Sequence, residues 1–208
     1  MGSFYVNITA NTPAKEAVSF LKSKGSSAYI MPTKDQQCVI YEQECDTQDI
    51  AHMYELLIAL TAEQDCSALG VLNHDDDMLF LMLCAKGEFK ADYTCGISFE
   101  EMYAEYDEES DEQNGEEAEE LKAAEKQQQA SVMAKALSEA FAVTDIDAIL
   151  EVLMQDSVFA VETHASLAEV LKLPECSIGL GYNYIEDGQA HDELDMSQLI
   201  EVKEVSDE

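Results

Sequence analysis

His74-Asp75-Asp76-Asp77 sets an imidazole beside three carboxylates, a donor set chemically sufficient for Mg²⁺ or Mn²⁺. His74, Asp75 and Asp77 are the candidate metal ligands, with Asp76 as support and Glu42 or Glu44 completing the shell from a neighbouring strand. On this reading the chain is a divalent-metal-dependent hydrolase. The spacing lacks the Gly and distal Glu of an EF-hand and the helical His pair of a zincin. Polar hairpin corners also recruit Asn and Asp for turn hydrogen bonds, and that structural role is the simpler reading of the run.

Three further constellations are weaker. Glu162-Thr163-His164 pairs a carboxylate with an imidazole, but residues two apart on a helix point to different faces. Cys45 at a helix start gains from the helix dipole, which stabilises a thiolate, whereas its neighbours Glu44 and Asp46 oppose one. Gly179-Leu180-Gly181 is half of a dinucleotide fingerprint without the third glycine or a preceding strand-to-helix unit. No residue is assigned a catalytic role, and no cofactor is expected beyond a possible Mg²⁺ or Mn²⁺.

The corner lies between two apolar runs. Met78-Leu79-Phe80-Leu81-Met82-Leu83-Cys84 is too short for a membrane span and too uniformly apolar for a strand with one wet face, so it predicts a central strand covered on both sides. Around it, Phe4-Tyr5-Val6-Asn7-Ile8-Thr9 alternates as a first strand. Thr12-Pro13 opens a helix with Ala14, Ala17, Val18 and Leu21 on one face, closed by Gly25. Ala28 to Met31 and Cys38 to Glu42 suit an antiparallel pair. Asp46 or Thr47 caps a second helix carrying Ile50, Met53, Tyr54, Leu57 and Leu60.

The order strand, helix, strand, strand, helix, strand predicts an α+β fold with a ferredoxin-like split βαβ sheet over residues 1–97, extended by Gly87 to Thr94. Both helices then cover one face, and the second half of the chain must cover the other. Residues 98–130 read as an acidic, partly disordered connection, with a short helix from Phe99 to Tyr106 before it and helical composition returning beyond Gly115. Residues 131–190 read as a helical region. Val132 to Phe141 form one helix, a second is capped by Thr144, and a third runs from Glu162 to Leu173. Ser177 to Ile185 reads as a final strand whose glycines allow close backbone approach. Residues 191–208 read as an acidic, frayed tail.

Composition excludes partners more firmly than it names them. The 208 residues carry 44 Asp plus Glu against 11 cations, all lysine, for a net charge of −33. Such a surface repels nucleic acid and anionic membranes, and without arginine it has no bidentate phosphate clamp. It attracts cations or a basic protein, although solubility or a salty environment also accounts for the charge. The first residues lack a basic segment followed by an apolar one, so a cytoplasmic location is expected. Six cysteines without a C-x-x-C pair suit reduced thiols.

Three stretches together, Gly2-Ser3-Phe4-Tyr5-Val6-Asn7, Leu72-Asn73-His74-Asp75-Asp76-Asp77 and Gly179-Leu180-Gly181-Tyr182-Asn183-Tyr184-Ile185-Glu186-Asp187-Gly188, resemble an uncharacterised family of bacterial proteins. The likeness covers most of the chain except 107–129 and the residues beyond His191. It implies a bacterial source and a shared fold, and lends no activity, cofactor or partner. The expected function is that of a non-enzymatic acidic binding or regulatory protein engaging a basic protein partner, in the manner of an immunity protein or inhibitor. An assembly subunit anchored by Tyr182 and Tyr184 on an exposed edge strand is a further reading, and the oligomeric state is left open.

Overall fold

The computed structural model describes residues 2–33, 36–97, 116–155, 157–189 and 195–203; of 116–120 only the backbone is described. The fold is α+β, built on a seven-stranded antiparallel sheet. The strands are β1 (Tyr5–Ala10), β2 (Ala28–Pro32), β3 (Cys38–Glu42), β4 (Ser67–His74), β5 (Met78–Ala85), β6 (Glu88–Gly96) and β7 (Ile200–Val202), in the spatial order β6-β5-β4-β1-β3-β2-β7.

Helices α1 (Ala14–Lys24) and α2 (Ile50–Glu63) lie on one face. The other face carries α3 (Glu116–Phe141), α4 (Ile146–Met154) and α5 (Ala160–Leu171), while the short α6 (Tyr182–Glu186) covers the β3 side. β5 shows why the chain needs both layers. Met78, Phe80, Met82 and Cys84 enter the core under α1 and α2, and Leu79, Leu81 and Leu83 enter the core under α3 to α5. A strand alternates its side chains between faces, so two apolar sets require two covers. Each such leucine contributes roughly 1.5–3 kcal/mol relative to an exposed one.

Local chemistry sets the element ends. Gly25 takes a left-handed φ of 70° and its N–H reaches the Leu21 and Lys22 carbonyls, ending α1. Asp49 caps α2, its carboxylate accepting from the Ala51 and His52 N–H groups. Gly70 lets α2 sit tightly on β4, since a Cβ there would lie 2.9 Å from both Leu57 and Met53. Asp75 and Asp76 both take left-handed φ, 51° and 62°, within a three-residue connection in which the Asp77 N–H closes on the His74 carbonyl at 3.1 Å.

Several expectations are corrected. Ser177 to Ile185 is not a strand: Glu175–Ser177 is a 3-10 turn and Tyr182–Glu186 is α6. The backbone here is satisfied by side chains instead of a sheet partner. Asn7 Nδ2 donates to the Ser177 and Leu180 carbonyls at 2.7 and 2.8 Å, and the Tyr41 hydroxyl donates to the Cys176 carbonyl at 2.6 Å. Tyr182 and Tyr184 therefore sit on a helix: Tyr182 packs against Tyr29, and Tyr184 accepts from the Phe4 N–H. The tail beyond residue 190 is not wholly frayed, because Ile200–Val202 pairs with β2. The helical composition expected beyond Gly115 is met by α3, which continues without a break through the helix read from Val132 to Phe141. The α2 cap is Asp49 in place of Asp46 or Thr47, and the α4 cap is Asp145 in place of Thr144. The segment from Phe99 to Tyr106 and the acidic centre from Asp107 to Gly115 lie outside the described residues. No helix among the described residues is long and apolar enough to cross a membrane.

Candidate functional site

The predicted corner is a knot of backbone and side-chain hydrogen bonds. Asp76 accepts from the Ser3 N–H at 3.0 Å, from the Ser3 hydroxyl, and from Asn73 Nδ2 at 3.0 Å. Burial pushes its carboxyl up, but the hydrogen bonds from Ser3 and Asn73 outweigh burial and hold it below the ordinary carboxylate range. The Asp76 carbonyl also accepts from Ala160, which ties the corner to the start of α5. His74 turns toward Gln48 Oε1 at 2.5 Å and takes Phe4 edge-on at 5.0 Å. Asp75 and Asp77 are exposed. His74, Asp75 and Asp77 are not brought together as a cluster of ligand atoms.

Three stretches, Gly2 to Asn7, Leu72 to Asp77 and Gly179 to Gly188, meet here. Ser3 binds the corner, Asn7 binds the Leu180 carbonyl, and Phe4 binds Tyr184. Asp46 closes the junction from the turn before α2, accepting from Val6 at 3.0 Å and from Asn183 at 2.8 Å. Burial raises its pKa, and those N–H groups work against the rise. Gly181 has no room for a side chain, because a Cβ would lie 3.0 Å from Asp46 Cγ. Beneath the junction Tyr5 pairs in register with Asn73, and its hydroxyl lies 2.7 Å from His164 Nδ1. Burial lowers the His164 pKa to about 4, so this imidazole is neutral. Glu162 stays exposed and apart from it.

A second constellation comes from residues distant in sequence. Among the described residues, Glu42, Cys45 and His52 alone bring three candidate metal-ligand atoms within 4.8 Å of one another. The end of β3 supplies Glu42, a 3-10 turn (Cys45–Thr47) supplies Cys45, and the first turn of α2 supplies His52. Glu42 is only 2% exposed. Its Oε2 accepts from the Cys45 N–H at 2.8 Å and lies 3.2 Å from His52 Nε2. On the other side of the ring, His52 Nδ1 lies 3.3 Å from Glu44 Oε2, whose side chain is 74% exposed.

Burial, and after it the charge of Glu42, holds the Cys45 thiol far above its ordinary range. That argues against the reactive thiolate that the helix start suggested. The cluster opens onto a groove of about 390 Å³ with Glu44, Glu55 and Lys24 at its rim and Phe20, Leu56 and Ala59 toward its floor.

Sequence reasoning singled out Glu42, Glu44 and Cys45 separately but missed His52. The signal that would have found it is Asp49 as the helix cap, which places His52 in the first turn, facing back toward Cys45. No family model, curated protein or solved structure matches the chain.

Proposed function

We propose that the protein is a non-enzymatic binding or regulatory protein whose acidic surface engages a basic protein partner, as an inhibitor would. The observation that carries this reading is the groove between α1 and α2, where Glu44 and Glu55 stand over an apolar floor with Glu42 buried beside it, in a chain of net charge −33. A lysine or arginine side chain suits such a groove, because its methylene stem packs on apolar surface while its charged head meets carboxylates. The chain's own Lys24 already adopts a related pose, its ammonium 5.5 Å from the centre of the Phe20 ring. The sheet order β4-β1-β3-β2 supports reading residues 1–97 as a ferredoxin-like split βαβ unit extended by β5 and β6.

Titration with a lysine-rich peptide tests the groove. Glu44→Gln/Glu55→Gln should weaken binding more than Glu139→Gln/Glu151→Gln, which removes equal charge from α3 and α4 on the opposite face, and binding should fall steeply with salt. Equal loss from both pairs, or salt-insensitive binding, would reduce the groove to one part of a diffuse field.

A further inference from the structure

We propose that Glu42, Cys45 and His52 form a binding site for a borderline-soft divalent cation of the zinc type, with Glu44 as the carboxylate that orients the histidine. This goes beyond engagement of a basic partner and does not depend on it.

The donor set is the first argument. A carboxylate oxygen, a sulfur and an imidazole nitrogen together suit Zn²⁺ or Co²⁺ and do not suit Mg²⁺, which prefers oxygen alone. Spacing is the second. Bonds of about 2.0–2.3 Å in a tetrahedron leave neighbouring ligand atoms roughly 3.4 Å apart, and His52 Nε2 already stands 3.2 Å from Glu42 Oε2. The whole triad lies within 4.8 Å, so small side-chain shifts close it.

The strongest argument is the imidazole. Both His52 nitrogens face carboxylates, Nε2 toward Glu42 and Nδ1 toward Glu44. A neutral ring can donate from only one nitrogen, so the other lone pair would point at a negative oxygen. A metal between Nε2 and Glu42 would engage both of those lone pairs and leave the Nδ1–H to donate to Glu44. Metal-bound histidines characteristically donate their second N–H to a carboxylate, which is the position of Glu44. On binding, Cys45 releases its thiol proton to solvent as the metal–sulfur bond forms, while His52 coordinates through Nε2 and keeps Nδ1–H on Glu44. Three protein ligands leave a fourth position for water or for a ligand entering the groove.

The test is titration of the reduced full-length protein with Co²⁺, followed by near-ultraviolet absorption, and then with Zn²⁺. One equivalent of Co²⁺ should produce a thiolate-to-cobalt charge-transfer band that Zn²⁺ abolishes and excess Mg²⁺ does not. Cys45→Ser should remove the band, and Cys176→Ser should retain it. Glu44→Gln, at an exposed position that does not threaten folding, should keep the band with affinity about ten-fold weaker or more. Absence of a band in the unsubstituted protein, or a band that survives Cys45→Ser, would overturn the site. So would unchanged affinity in Glu44→Gln, which decides the matter if the serine variant does not fold. In those cases His52 is an ordinary ion-pair partner and bound cations are counterions to a −33 surface.

Discussion

At the β4–β5 corner, Asp76 receives hydrogen bonds from Ser3 and Asn73 while its own backbone carbonyl holds the start of α5. At the end of β3, Glu42 receives one backbone N–H and turns the same oxygen toward an imidazole that already faces a second carboxylate. The corner has the denser run of acidic residues, yet the groove offers the better set of ligand atoms. Carboxylate density in sequence measures charge, whereas a binding site needs donors whose directions converge and are not already satisfied within the fold. The corner stitches three distant segments together. The groove gathers three donor types at its inner side, where Glu42 and Cys45 are buried and His52 is partly exposed.

The largest expected effect probes the stitched region through His164. Its folded pKa is about 4 against an ordinary value near 6.5, so the unfolded chain takes up a proton first as pH falls. Stability should therefore decline between about pH 6.5 and 4 by roughly 3 kcal/mol from this group. Carboxylate protonation relieves like-charge repulsion over the same range, so the readout is a difference: urea unfolding of His164→Gln should show less acid loss than the unsubstituted protein. Parallel pH profiles would remove the imidazole from the account.

Next in size is Asp46→Ala, which strands the N–H of buried Val6 and removes the acceptor of the exposed Asn183 N–H. It should lower stability by about 2–3 kcal/mol and Tm by about 5–10 °C. Asp76→Ala should cost about 1–2 kcal/mol, because half-buried Ser3 can regain water and the buried Asn73 amide keeps the Ser3 carbonyl as its acceptor. The smallest effect sharpens the contrast: Glu44→Gln should change stability by less than about 0.5 kcal/mol, although the same substitution is expected to weaken both peptide and cobalt binding. A thermal melt in which Glu44→Gln falls as far as Asp46→Ala would make the groove a structural knot like the corner and erase the distinction.

Most of the layered architecture was legible in the chain. The continuous apolar run of β5 demanded cover on both faces, and the alternation of Met78, Phe80, Met82 and Cys84 with Leu79, Leu81 and Leu83 meets that demand. The segment after Pro174 misled for a physical reason. Ile178, Leu180, Tyr182 and Tyr184 recur every second residue, as in a strand, but the Cys176, Ser177 and Leu180 carbonyls are taken by the buried side chains of Tyr41 and Asn7, contributed by strands far away in sequence. Three residues at Ile200–Val202 carry too little pattern to announce a strand. The groove was hidden because Glu42, Cys45 and His52 sit on three different elements. Only the tight turn between β3 and α2 makes them neighbours.

The position of β7 has a kinetic consequence. Among the described residues it is the last strand in chain order, yet it pairs Ala28 with Val202 and Ile30 with Ile200 along the outer side of β2. Until Ile200–Val202 pairs, the outer edge of β2 presents unpaired N–H and C=O groups. An edge left open in that way invites pairing with another chain. A chain in which Ile200–Val202 has not docked should therefore self-associate more readily, and the three-residue strand acts as the closure that ends this exposure.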